Sequence, residues 1–151
     1  MVKQEIPTEL SPELVEFFQG EKLVNIATVD AETGAPNVNA ISWVKSVDEK
    51  RIRFSVTNNS RIVDNIKANP GVVLNIIGLE TVYSIQGKAE ILEDIMEGVN
   101  LKLSKIEITV EAVFESMFWG AKITREPEYE KTYNPVKAKE LDDSVYAALM
   151  K

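Results

Sequence analysis

The part of this sequence richest in chemical possibility runs FSVTNNSRIVDNIKANP, residues 54–70. An alternating apolar stretch ends there, a polar tetrad Asn58-Asn59-Ser60-Arg61 follows, and Ile62, Val63 and Ile66 then recur at helical spacing. The first N–H groups of a helix have no partner inside it and carry partial positive charge. With the Ser60 hydroxyl and the Arg61 guanidinium beside them, those N–H groups form a set of donors suited to a phosphate. The same residues also read as an ordinary N-cap followed by a solvated charge, because Asn and Ser are common at helix starts.

A second stretch offers a complementary surface. Asn37 and Asn39 share a strand face with Ile41 and Trp43, so that face is part polar and part apolar. It suits a planar heteroaromatic ligand that needs stacking area and hydrogen bonds together. It also reads as a solvated strand end running into a core.

Other chemistries are excluded by composition. The chain has no Cys and no His. Thiol nucleophiles, zinc–cysteine sites, Ser–His–Asp triads and His-ligated metal or haem are therefore impossible. An enzyme built from this sequence must work through carboxylates, Lys, Tyr or a bound cofactor. The net charge of −7 argues against nucleic acid or an anionic membrane as partner. The opening MVKQEIPTEL lacks the apolar core of a signal peptide, and no apolar run is long enough to span a bilayer. The expected location is cytoplasmic.

The elements that would position these residues follow from local signals. Ser11 as N-cap, Pro12 at the first helical position and Gly20 as stop predict an opening helix with Leu14, Phe17 and Phe18 buried. Strands are predicted over residues 23–29, 37–44, 51–56, 72–77, 81–92 and 106–118, on alternation or apolar runs. In the last of these, Ile106, Ile108, Val110, Ala112 and Phe114 fall on one face, with Glu107, Thr109, Glu111 and Glu115 on the other. Those carboxylates read as a solvated face or, less simply, a metal site. Helices are predicted over residues 60–69, 94–103 and 141–150, with an irregular connection over 120–140. Trp43 and Trp119 read as packing residues, and Tyr129 and Tyr133 as loop aromatics that could cap a site. Six strands joined mostly by short connections predict a mainly β protein, an antiparallel barrel with flanking helices in a single domain over residues 1–151.

In order, LVNIATVD, PNVNAISWV, RIRFSVTNNSR, KANP, GVVLNII and YSIQGKAEIL resemble the pyridoxamine 5′-phosphate oxidase-like family, the flavin-binding split barrels. The resemblance covers residues 10–93, and residues 94–151 supply a C-terminal strand, the irregular segment and a helix. It implies a six-stranded split β-barrel and a homodimer binding flavin mononucleotide (FMN) at the subunit interface. Ser55, Val56, Thr57 and Asn58 match contacts to the isoalloxazine ring and ribityl chain. Ser60 and Arg61 match the phosphate region. Asn39, Ala40, Ile41 and Ser42 match the strand along the ring, and Val82 the position from which a neighbouring subunit reaches the flavin.

Departures from the oxidase proper accompany the likeness. Ile62 stands where a Lys follows the phosphate Arg, with Lys67 further along the helix as a substitute. Ala40 replaces an Arg, Val82 replaces a polar residue, and the C-terminal Arg/His substrate signature is absent. The implied activity is thus a flavin-dependent oxidoreductase of another substrate, not pyridoxamine phosphate oxidation. A non-catalytic flavin or ligand sensor and a deazaflavin-dependent reductase are the alternatives. No catalytic acid or base is assigned, and no GxGxxG fingerprint marks a nicotinamide donor site.

Overall fold

The computed structural model describes residues 5–151; the reading of the first four residues lies outside it. Among the described residues the order is α1 (Pro12–Phe17), β1 (Val24–Val29), β2 (Pro36–Ile41), β3 (Val44–Ser46), β4 (Arg51–Thr57), α2 (Arg61–Ala68), β5 (Gly71–Gly78), β6 (Thr81–Glu93), β7 (Leu103–Glu115) and α3 (Pro135–Leu149). All pairings are antiparallel, in one sheet ordered β2-β1-β5-β6-β7-β4-β3.

The two edge strands are neighbours in sequence, and that fact forces the shape. A flat seven-stranded sheet would hold its edges about 29 Å apart. Only Ser42 and Trp43 lie between β2 and β3, and so short a link spans about 10 Å at most. The sheet therefore curls until its edges meet, giving a split barrel. The single strand expected over residues 37–44 is divided at this seam, so seven strands stand where six were predicted.

Inside the barrel, alternate residues from every wall meet. Ile26, Ile52, Phe54, Leu74, Ile76, Ile85, Ile106 and Ile108 are fully buried there. The buried stripe of α1 (Leu14, Phe17) with the C-capping Phe18, and that of α2 (Ile62, Val63, Ile66), join the same cluster. A second cluster lies under α3, where Val145, Ala148 and Leu149 pack on Met96 and Leu103, with Trp43 against them.

Three local expectations are corrected. Residues 94–102 form turns and bends rather than a helix, Leu103 already opens β7, and Gly98 takes φ +86°, outside the helical region. The last helix starts at Pro135, six residues before the expected start, because Asn134 caps it by accepting from the Val136 and Lys137 N–H groups. The inward face of β7 changes partway along. Gly87 pairs with Val110 but Gln86 with Ala112, so Glu111 is an extra residue and Val113, not Ala112 or Phe114, is buried. Gly87 permits this close pairing: a Cβ there would lie 2.4 Å from the Thr109 carbonyl oxygen.

Trp119 is also corrected. It is 97% exposed, beyond the end of β7, and borders an open surface hollow with Met117 and Phe118 rather than packing in a core.

Candidate functional site

At the seam, three elements converge on one cleft of about 330 Å³. The end of β2 and the link contribute Asn39, Ala40, Ile41, Ser42 and Trp43. Ser55, Val56 and Thr57 come from the end of β4, and Ser60 and Ile62 from the start of α2. These segments meet because β4 pairs with β3, whose first residue follows the link directly: the Ser55 N–H donates to the Trp43 carbonyl at 3.0 Å.

Ser60 performs the capping the sequence allows. Its Oγ accepts from the Ile62 N–H at 3.1 Å and its N–H donates to the Thr57 carbonyl. The helix thus starts abruptly at the cleft, with its positive end beside it. Ser55 is the anomaly. Its hydroxyl is buried and has no hydrogen-bond partner. An orphaned buried hydroxyl costs roughly 1–3 kcal/mol, and this one belongs to a residue of the cleft wall.

The remaining predicted site residues lie elsewhere. Arg61 lies on α2 but turns toward the β1–β2 connection, where its Nε donates to Asp30 Oδ2 at 2.6 Å. The Asp30 carboxylate also accepts from Asn37 Nδ2 and from the N–H groups of Glu32 and Thr33. Arg61 and these donors hold it well below the usual carboxylate range, against the opposing effect of burial. The Arg61 side chain stays 58% exposed, with Nη2 at 3.8 Å from Glu32 Oε2. Asn58 sits in the turn before α2, with its N–H given to the Lys102 carbonyl. Val82 is on β6, separated from β4 by β7, and its carbonyl accepts from Ser116. Lys67 falls in the last turn of α2, about 9 Å along the axis from Arg61, and does not reach the helix start.

Sequence reasoning passed over Asp30, which fixes Arg61 and whose local signal was that of a polar residue opening a turn. Trp43, placed on the part-polar strand face, lines the cleft as well as packing under α3, and Ile62, noted as a departure, supplies an apolar wall. A larger hollow of about 640 Å³ lies along residues 125–131, where four of the lining charges are paired with one another: Lys22 with Glu126 at 2.9 Å and Lys131 with Glu21 at 2.7 Å. On the carboxylate face of β7, Glu107 bridges to Arg53 at 3.1 Å and Glu115 accepts from the Thr81 hydroxyl. Among the described residues no group of three or more His, Cys, Asp or Glu side chains is placed to hold a metal ion, and no helix is long and apolar enough to cross a membrane.

The cleft can bind but has little chemistry of its own. None of the side chains lining it is a carboxylate, a cation or a phenol. It offers hydroxyls, an amide, a helix N-terminus and apolar walls.

Comparison with known proteins agrees with this architecture. The family model of pyridoxamine 5′-phosphate oxidase matches residues 10–116. Similar solved structures include a pyridoxamine 5′-phosphate oxidase-like protein from Lactobacillus delbrueckii, at TM-score 0.61 and 23% identity over 72% of this chain and 95% of that one. An F420 reductase matches at TM-score 0.58 and 22% identity, over 70% and 98% of the two chains. HutZ, the heme storage protein of Vibrio cholerae, matches at TM-score 0.54 and 18% identity, over 70% and 94%. No curated protein sequence matches the chain.

Proposed function

Since the chain belongs to the pyridoxamine 5′-phosphate oxidase-like family, we propose that it binds FMN in the seam cleft and acts as a flavin-dependent oxidoreductase. The observation that carries this reading is the Ser55 hydroxyl, buried and unpartnered in a cleft at a helix N-terminus. A ligand with polar atoms at that depth would satisfy it.

The residues present fit the cofactor. Ser55, Val56 and Thr57, with the Asn39–Ser42 stretch, would hold the ring and ribityl chain. Ser60 and the start of α2 would meet the phosphate, with Arg61 contributing from its part-exposed side chain by exchanging its carboxylate partners for the phosphate. Asn58 and Val82 contribute only by backbone or from a second copy. The cleft lies at the small end of the usual range of about 300–1,000 Å³, as expected of a site completed by a partner subunit. Bound flavin supplies hydride and electron transfer, which no lining side chain can. The chain's part is to orient the ring, exclude water with Ile41, Val56 and Ile62, and hydrogen-bond its edge. A small-molecule substrate or electron donor would enter from the open side, in a cytoplasmic homodimer. Ile62 and Ala40, where the oxidase proper has cations, direct the activity away from pyridoxamine phosphate.

A second reading draws on the Arg61–Asp30 pair. A phosphate cation already committed to a carboxylate weakens the grip on FMN and suits a non-catalytic sensor, or a deazaflavin as in the F420 reductase that shares this fold. Haem, which HutZ stores, is disfavoured by the absence of His and Cys.

The test is the absorption spectrum of the purified protein after loading with FMN and desalting, followed by addition of a reduced nicotinamide. Retained flavin bands that bleach with the donor and recover in air support the oxidoreductase. Retention without bleaching favours the sensor. A protein that leaves the column colourless refutes FMN binding.

A further inference from the structure

We propose that α3 is a positioning element for the cleft, with Tyr146 and Asp142 locking the Ser42–Trp43 link that forms one of its walls. The proposal rests on the seam cleft being the flavin site. It concerns residues beyond the stretch matched by the family model, which ends at 116.

The link is held by few backbone bonds of its own. Its two residues belong to no strand, yet they join the sheet's two edges and line the cleft. Internal bonds hold it only in part: the Ser42 carbonyl accepts from the Val44 N–H at 3.0 Å and the Trp43 carbonyl from Ser55. Two bonds from α3 complete it. The Tyr146 hydroxyl donates to the Ser42 carbonyl at 3.0 Å, and the Trp43 indole N–H donates to Asp142 Oδ1 at 2.8 Å.

Both partners are themselves held. Asp142 Oδ2 lies 3.3 Å from Lys131 Nζ, which also binds Glu21. Lys45 Nζ sits over the Tyr146 ring, 4.5 Å from its centre. Burial pushes the Tyr146 phenol well above its ordinary pKa, so it stays a donor at every physiological pH.

The helix does not depend on these two bonds to stay docked. Val145 and Leu149, on the same stripe as Asp142 and Tyr146, pack with Ala148 against Met96 and Leu103. At its far end Arg53 donates to the carbonyls of Leu149 and Lys151, and Lys105 to that of Lys151. Docking of α3 therefore has contacts besides the two bonds that reach the link, and the experiment must separate the two roles.

The experiment compares wild type with Tyr146→Phe, which removes one oxygen, and Asp142→Asn, which keeps an acceptor for Trp43. Three quantities are measured: FMN affinity, the spectrum of bound flavin, and amide hydrogen exchange. The proposal expects Tyr146→Phe to weaken FMN about fivefold, the worth of one neutral hydrogen bond. It also expects a shifted flavin spectrum and about fivefold faster exchange at residues 42–44, with the amides of α3 unchanged. Asp142→Asn is expected to stay within about twofold of wild type in affinity. Unchanged affinity and exchange at 42–44 in Tyr146→Phe would overturn it. So would faster exchange throughout α3, which marks a merely structural role. If wild type itself takes no FMN, the reading of the cleft fails, and exchange at residues 42–44 still decides whether Tyr146 holds the link.

Discussion

The N–H of Ser55 donates to the Trp43 carbonyl at 3.0 Å while the hydroxyl of the same serine, buried beside the cleft, bonds to nothing. Its backbone serves the fold and its side chain does not. Ser55→Ala should therefore stabilise the ligand-free protein by about 1 kcal/mol, because an orphaned hydroxyl is removed. The same change should weaken FMN about fivefold. Urea unfolding and a fluorescence titration check the two signs. A variant that loses stability and keeps its affinity would show the hydroxyl to be structural.

Arg61 separates phosphate recognition from ring recognition. Arg61→Ala should weaken FMN about tenfold, the scale of a charge-assisted bond, and leave riboflavin nearly untouched. Equal loss for the two ligands in parallel titrations would exclude Arg61 from the phosphate site. Asp30→Asn serves as the control, since it relaxes the pair but keeps the cation.

The pair also predicts a pH dependence. Arg61, then Asn37 and the Thr33 N–H, hold the Asp30 carboxyl below its ordinary pKa in the folded protein. Unfolding restores a value of about 3.9. A group depressed on folding stabilises the protein above its unfolded pKa, and that stabilisation drains away as pH falls toward the folded value. Wild type should therefore exceed Asp30→Asn in unfolding midpoint at pH 7, and the gap should narrow steadily from pH 4 to pH 2. A gap independent of pH would assign the stabilisation to the shape of the connection instead.

The β5–β6 hairpin turns through Leu79 and Glu80, both at positive φ, 55° and 66°. Two-residue turns of this kind favour Asn-Gly, and ordinary L-residues are strained there by roughly 1–2 kcal/mol each. The double change Leu79→Asn, Glu80→Gly should raise stability by about 1 kcal/mol, part of the relief being offset by the added chain entropy of glycine. Thermal unfolding measures it. A fall in the midpoint would mean that the Leu79 side chain contributes more packing than its 40% exposure suggests.

What the sequence determined by itself was local. Ser11 and Ser60 cap helices as their residue types dictate, and the alternation in residues 51–56 and 81–91 sorts inward from outward side chains, because capping and pleating involve neighbours in the chain. Asn134-Pro135 carried a helix start of the same kind, inside the stretch 120–140 read as an irregular connection. The ingredients of the cleft were legible as residue types near a helix start. Their meeting was not. The break at Ser42–Trp43 exists because the barrel must close there, and the inward face of β7 shifts at Glu111 because Gly87 lets the opposite strand approach. Arg61 turns to Asp30, 31 positions away, and Trp43 to Asp142, 99 positions away. No local spacing encodes such pairs. They are decided when the curled sheet brings its two edges together and leaves each buried polar group to find whatever partner the closed structure puts within reach.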